Sequence, residues 1–243
     1  MRIDLARFFN KLLNSIVKRL PSPLRTMVRR RRLRRRVRSQ PFGRQEARRK
    51  MVERIIPLCG IVRFVETGTY VGNTTEYFAK FNLPVITAES DPMHAEIAAE
   101  RLRPLQNVQL RAYDSVRMLK ELAQAPIDRV APTLCYLDAH WHEYLPLRDE
   151  LEIVFGHFAN AVVLIDDFQV PDDPGYGFDN YGPGKTLNLE YLRAAKTPPL
   201  AIYFPSTPSA QETGAKRGCV VVTANPAMAV ILDRLELLRR WRV

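Results

Sequence analysis

The stretch VRFVETGTYVGNTT, residues 62–75, decides how the rest of the chain is read. An apolar run containing Val62, Phe64 and Val65 ends in a carboxylate, Glu66, and two glycines follow four residues apart, Gly68 and Gly72. A buried strand turning sharply into a helix has this pattern, and glycine permits both the turn and close approach of a ligand to the backbone. A dinucleotide turn would instead need G-x-G-x-x-G, with the pyrophosphate seated on the helix N-terminus. Here Glu66 stands where a phosphate would approach, and like charge would repel it. The stretch suits an adenosine-bearing ligand that is cationic and carries no phosphate. S-adenosylmethionine, with its sulfonium and ammonium groups, has that chemistry.

Short β-branched runs recur beyond it, at 61–66, 85–89, 108–112, 133–138, 161–166, 200–204 and 219–223. Helical patterns lie between them near 73–81, 91–103, 115–124, 143–158 and 185–196, with a closing helix near 226–241. Alternating strands and helices, with strands apolar throughout, predict a Rossmann-like, doubly wound, mostly parallel seven-stranded α/β sheet covered on both faces. Ligands of such sheets sit at the carboxyl ends of the strands. Those ends are acidic here: Glu66, Glu89-Ser-Asp91, Asp114-Ser115, Asp138-Ala-His140 and Asp166-Asp167.

The net charge of +11 is unevenly divided. Residues 1–54 carry 19 Lys/Arg against Asp4, Glu46 and Glu53, whereas the remaining 189 residues carry 18 Lys/Arg against 23 acids. The chain thus divides into a basic N-terminal arm, 1–54, and a mildly acidic domain, 55–243. Within the arm, Leu5, Phe8, Phe9, Leu12, Leu13, Ile16, Val17 and Leu20 form one stripe of a helix, and RRRRLRRRVR (29–38) holds eight arginines. An anionic membrane surface, nucleic acid, and packing of the stripe on its own domain all fit such a segment. The Phe/Leu stripe favours the membrane surface, since phosphate binding does not require it. An organelle transit peptide has the same Arg-rich, acid-poor composition. No apolar run is long enough to span a bilayer. The expected location is cytoplasmic, peripheral on the inner face of a membrane through residues 1–40. Cys59, Cys135 and Cys219 lack metal or disulfide spacing and read as reduced, buried thiols.

Over about residues 55–224 the chain resembles the class I S-adenosylmethionine-dependent methyltransferases. The resemblance implies that Glu66, Gly68, Thr69 and Gly72 wrap the methionine end of the cofactor. It implies that Glu89 binds the ribose hydroxyls and that Asp114 and Ser115 lie beside the adenine. Glu89 stands 21 residues beyond Gly68, about the spacing of the ribose-binding acid in dinucleotide sites. An ordinary strand–helix turn would show the same glycines; the ordered acids are what separate the two readings.

LDAHWHEYLPL (137–147) and VVLIDDFQVPDD (162–173) bring Asp138, Asp166 and Asp167 to neighbouring strand ends. Three converging carboxylates need positive charge among them, and a hard divalent cation such as Mg²⁺ is a natural partner. This half resembles the metal-dependent, macrocin-type sugar O-methyltransferases, whose motifs are D-x-D and D-D. The resemblance implies Asp138, Asp166 and Asp167 as metal ligands and places His140 at the general-base position, where that family has Asp. Imidazole is a competent general base; His142 and Glu143 are the neighbouring alternatives. The implied function is methyl transfer to a hydroxyl of a small molecule or glycan, Mg-assisted, with Asp138 and His140 in the catalytic group. The alternative is a nucleic-acid-binding protein holding RNA on its arm, with or without methyl transfer. Residues 171–185 read as a loop beside the site, with Tyr176, Phe178 and Tyr181 able to stack on an acceptor or to pin the loop to the body.

Overall fold

The computed structural model describes residues 27–28, 30–31, 40–140 and 144–242. Ser39–Val243 form one compact unit and Met1–Arg38 another. The expected amphipathic helix and most of the arginine run lie outside the described residues. The charge boundary at residue 54 does not coincide with the structural one. Helix α1, Glu46–Leu58, belongs to the compact unit although its sequence is basic. Met51, Val52, Ile55 and Ile56 fall on one face at helical spacing and are buried, while Lys50 and Arg54 stay in solvent. A count of charges registers the solvent face and misses the buried one.

Strands β1 (Arg63–Thr67), β2 (Val85–Ala88), β3 (Val108–Arg111), β4 (Thr133–Leu137), β5 (Ala161–Asp166), β6 (Ala201–Pro205), β7 (Cys219–Thr223) and β8 (Leu238–Arg240) form one sheet. Their order is β3-β2-β1-β4-β5-β7-β6-β8. The pairings from β3 through β5 are all parallel, whereas β7 runs antiparallel to both β5 and β6. Helices α2 (Asn73–Ala79), α3 (Pro92–Leu102), α4 (Ser115–Gln124), α5 (Leu147–His157), α6 (Leu189–Arg193) and α7 (Pro226–Leu232) follow α1 in the same unit.

Strand alternation divides the core between the two faces. Val65, Cys135, Leu137, Val163 and Ile165 pack with Met118 and Leu119 of α4 and Leu151 and Val154 of α5. Phe64, Leu134, Tyr136, Val162 and Leu164 pack with α1, with Tyr77 and Phe78 of α2 and with Met228 and Leu232 of α7. Every residue of β4 is buried, as a strand covered on both faces requires.

The sheet has eight strands rather than the expected seven, because the closing helix stops at Leu232. Leu238–Arg240 instead pair with β6, and the Trp241 amide donates to the Ile202 carbonyl at 2.8 Å. The tail's apolar residues fit a helix as well as a strand. The unpaired edge of β6 decides the outcome, with Leu238 buried and Trp241 set edge-on against Phe204. Among the described residues no helix is long and apolar enough to cross a membrane.

Candidate active site

The strand order reverses between β1 and β4, so the carboxyl ends of β2, β1, β4 and β5 stand side by side around the switch point. The turn after β1 is held by the Gly68 and Thr69 amides, both donating to the Ala88 carbonyl at 3.0 Å. Gly68 has φ +81°, and a Cβ there would lie 2.3 Å from the Asp138 carbonyl oxygen. Only glycine lets the two strand ends approach this closely. Gly72, φ +79°, opens α2.

Glu66 lies beneath this turn and is buried. Its carboxylate accepts hydrogen bonds from the Thr75 and Thr87 hydroxyls, tying β1 to α2 and β2. Burial pushes its pKa up to about 7, against the opposing effect of the two hydroxyls. Glu89 accepts from the amides of Tyr70 at 2.7 Å and Asp91 at 2.8 Å. A carboxylate offers about four lone-pair directions, so capacity for two ribose hydroxyls remains. Thr69 is buried, and its hydroxyl meets that of Thr87 at 2.6 Å. Asp114 caps α4, accepting from the Arg117 amide, and also accepts from the Tyr144 hydroxyl. Ser115 begins α4 and is buried close to Glu150 of α5, which has no solvent exposure.

The second half of the site differs from its expected form. Asp166 is occupied: Arg48 of α1 forms an ion pair with Oδ1, the Tyr136 hydroxyl donates to Oδ2, and the Asp167 amide donates to Oδ1 at 2.8 Å. Burial alone would raise its pKa, but Arg48, Tyr136 and the amide together hold it below the usual value. Asp167, at φ +52°, turns the opposite way, and the Arg217 guanidinium bonds its Oδ1 and also Asp179. Burial and the neighbouring Asp166 push Asp167 up to about 6. Burial, followed by Asp166 and Asp167, drives Asp138 well above the usual carboxylate range.

His140 is 4 % exposed, and neither ring nitrogen has a hydrogen-bond partner among the described residues. Burial lowers its pKa to about 4, so the ring is neutral near pH 7. Its Nε2 lies 3.7 Å from Asp138 Oδ1. Donor atoms of Asp138, His140 and Asp167 all fall within 4.8 Å of one another. The set brought together is thus Asp138, His140 and Asp167, with Asp166 directed at Arg48. His142 and Glu143 lie outside the described residues.

Sequence reasoning missed Arg48, Arg217, Tyr136 and Asp179. Arg48 is one arginine among many in a basic segment, and Arg217 precedes an unremarkable strand, so neither carries a local signal. Of the three loop aromatics, Tyr176 is buried with its hydroxyl on the Thr207 carbonyl and anchors the loop. Tyr181 reaches the site: its hydroxyl donates to Asp179 and lies 3.2 Å from the His140 carbonyl oxygen.

No protein-family model matches the chain, and no curated protein matches it in sequence. Solved structures do match in fold. A Klebsiella pneumoniae structure provisionally described as an O-methyltransferase aligns with TM-score 0.56 at 19 % identity, over 89 % of this chain and 95 % of its own. An O-methyltransferase from Bacillus cereus in complex with SAH aligns with TM-score 0.54 at 15 % identity, over 81 % and 89 %. The O-methyltransferase TomG from Streptomyces achromogenes, involved in tomaymycin synthesis and solved with SAM, aligns with TM-score 0.52 at 16 % identity, over 72 % and 78 %. The chain therefore has the Rossmann-like class I methyltransferase fold. Identities this low speak for the fold.

Proposed function

We propose that the chain is an S-adenosylmethionine-dependent O-methyltransferase moving a methyl group to a hydroxyl of a small molecule or glycan. One observation carries this reading. The glycine turn after β1 abuts the Asp138 backbone, so a cofactor lying along Gly68–Gly72 and Glu89 would end beside Asp138, His140 and Asp167. Bound S-adenosylmethionine would supply an electrophilic methyl, and a divalent cation such as Mg²⁺ would lower the pKa of the acceptor hydroxyl.

The residues present fit both groups. Glu89 has free lone pairs for ribose hydroxyls. Near the carboxylates, Asp138, Asp166, Asp167 and Asp179 face two guanidiniums, Arg48 and Arg217. Among these described groups the acids outnumber the guanidiniums, which favours a cation there. Asp138 and Asp167 would hold it, while Arg48 and Tyr136 fix Asp166 behind them.

Asp138 and His140 are the catalytic candidates: each offers a donor atom beside the cation that would activate the acceptor hydroxyl. Tyr181 and Asp179 close the acceptor side of the site.

Calorimetry with S-adenosylmethionine tests the reading, on wild type and Glu89→Ala. Wild type should bind, and the variant should bind at least about ten-fold more weakly, the scale of one lost charged hydrogen-bonding group. Failure of wild type to bind would sink the proposal. Asp138→Asn should lower methyl transfer about 10²–10⁴-fold with cofactor affinity little changed.

A further inference from the structure

We propose that His140 is a metal ligand, and that the set Asp138, His140 and Asp167 selects a first-row transition ion, Mn²⁺ through Zn²⁺, over Mg²⁺. This deepens the cation site of the function proposed above and rests on it, but it concerns ion binding and can be read without methyl transfer.

Four observations converge. Asp166 has its two oxygens engaged by Arg48, Tyr136 and the Asp167 amide, which removes it from an all-oxygen set. His140 stands in its place, enclosed to 4 % exposure, with neither ring nitrogen partnered among the described residues. Burying an unpaired polar atom costs about 1–3 kcal/mol, so native proteins nearly always give such atoms a partner. The 3.7 Å between His140 Nε2 and Asp138 Oδ1 is too long for a hydrogen bond. It is close to the spacing of two donors that each lie about 2.1 Å from a shared ion. Finally, Arg217 takes only Oδ1 of Asp167, which leaves Oδ2 to bind an ion without displacing the arginine.

Ligand chemistry then chooses the ion. Mg²⁺ demands near-octahedral oxygen ligands and binds imidazole poorly, whereas Mn²⁺, Fe²⁺, Co²⁺ and Zn²⁺ accept mixed nitrogen–oxygen sets. A bland alternative is a neutral histidine packed for shape alone, which predicts no nitrogen ligation whatever ion is added.

The test uses the full chain after chelator treatment, titrated calorimetrically with Mn²⁺, Co²⁺ and Mg²⁺ separately, for wild type and His140→Asp. Pulsed electron paramagnetic resonance of the Mn²⁺ samples looks for coupling to ¹⁴N. Most nitrogen–oxygen sites prefer a transition ion, so the decisive quantity is the change in preference. His140→Asp should shift the Mn²⁺/Mg²⁺ affinity ratio toward Mg²⁺ by about ten-fold or more, and the nitrogen coupling should vanish. An unchanged ratio, nitrogen coupling that survives the substitution, or the absence of any ion binding by wild type overturns the proposal. If His140→Asp does not fold, His140→Asn must abolish the nitrogen coupling instead. S-adenosylmethionine binding is measured on the same wild-type samples. Cofactor binding without ion binding overturns only the metal site, and ion binding without cofactor binding overturns only the methyltransferase reading.

Discussion

Arg48 and Asp166, 118 residues apart in sequence, form a buried ion pair that fastens α1 to the carboxyl end of β5. The helix that precedes the first strand is thereby coupled to the carboxylate cluster. Glu212 reinforces the arrangement by accepting from the Ala47 and Arg48 amides at the start of α1.

Removing Arg48 leaves Asp166 buried without its cation. Arg48→Met should destabilise the protein by about 3–5 kcal/mol in denaturant unfolding, the usual cost of breaking a buried pair from one side. Arg48→Met/Asp166→Asn should recover much of that loss, because no charge is then stranded. Equal losses in the single and double variants would show that the pair itself contributes little.

Gly68 allows β1 and β4 to meet. Gly68→Ala should cost at least about 1–3 kcal/mol from its left-handed backbone alone, with more from the clash against the Asp138 carbonyl. Thermal unfolding should register this loss, and S-adenosylmethionine binding should weaken beyond it. A variant as stable and as tight-binding as wild type would refute this account of the turn.

Glu150 makes stability depend on pH. Burial raises its pKa from 4.5 to about 7, against the opposing effect of the Ser115 and Thr67 hydroxyls. Between those two values the folded state binds more protons than the unfolded state, so this group's contribution is present below pH 4.5 and is lost as pH rises toward 7. Glu150→Gln should gain on the order of 1–3 kcal/mol relative to wild type on going from pH 4.5 to pH 7.5. Unfolding curves across that range check it, and parallel pH profiles for the two proteins would remove Glu150 from the explanation.

The much longer list of acids at strand ends was legible because parallel sheets deliver their C-terminal residues to one side, whatever the loops do. Glu66, Glu89, Asp138 and Asp167 could be placed by counting along apolar runs. Their partners could not. Arg217 reaches Asp167 across 50 residues and Arg48 reaches Asp166 across 118, and no periodicity encodes contacts of that range. The convergence of carboxylates is visible in the sequence, whereas the compensating charge of Arg48 and Arg217 is not. The end of α7 was misread for a related reason, since pairing with β6 overrides the local helical pattern of the tail.

Residues 1–40 are proposed to bind anionic membrane surfaces. Full-length protein should float with vesicles containing phosphatidylserine, more weakly as salt is raised, and deletion of residues 1–40 should abolish flotation while leaving the remaining domain folded. Flotation that survives the deletion would refute this placement. Flotation suppressed by equimolar RNA would favour the nucleic-acid alternative.

The eighth strand bears on assembly. A sheet whose outermost strand has unpaired amides and carbonyls invites a second copy to add its own strand. β8 closes that side with three residues, two of them arginines tied to Asp172 and Asp233. A neighbour docking there would have to break those ion pairs to gain a few backbone bonds. Among the described residues the opposite edge of the sheet is β3.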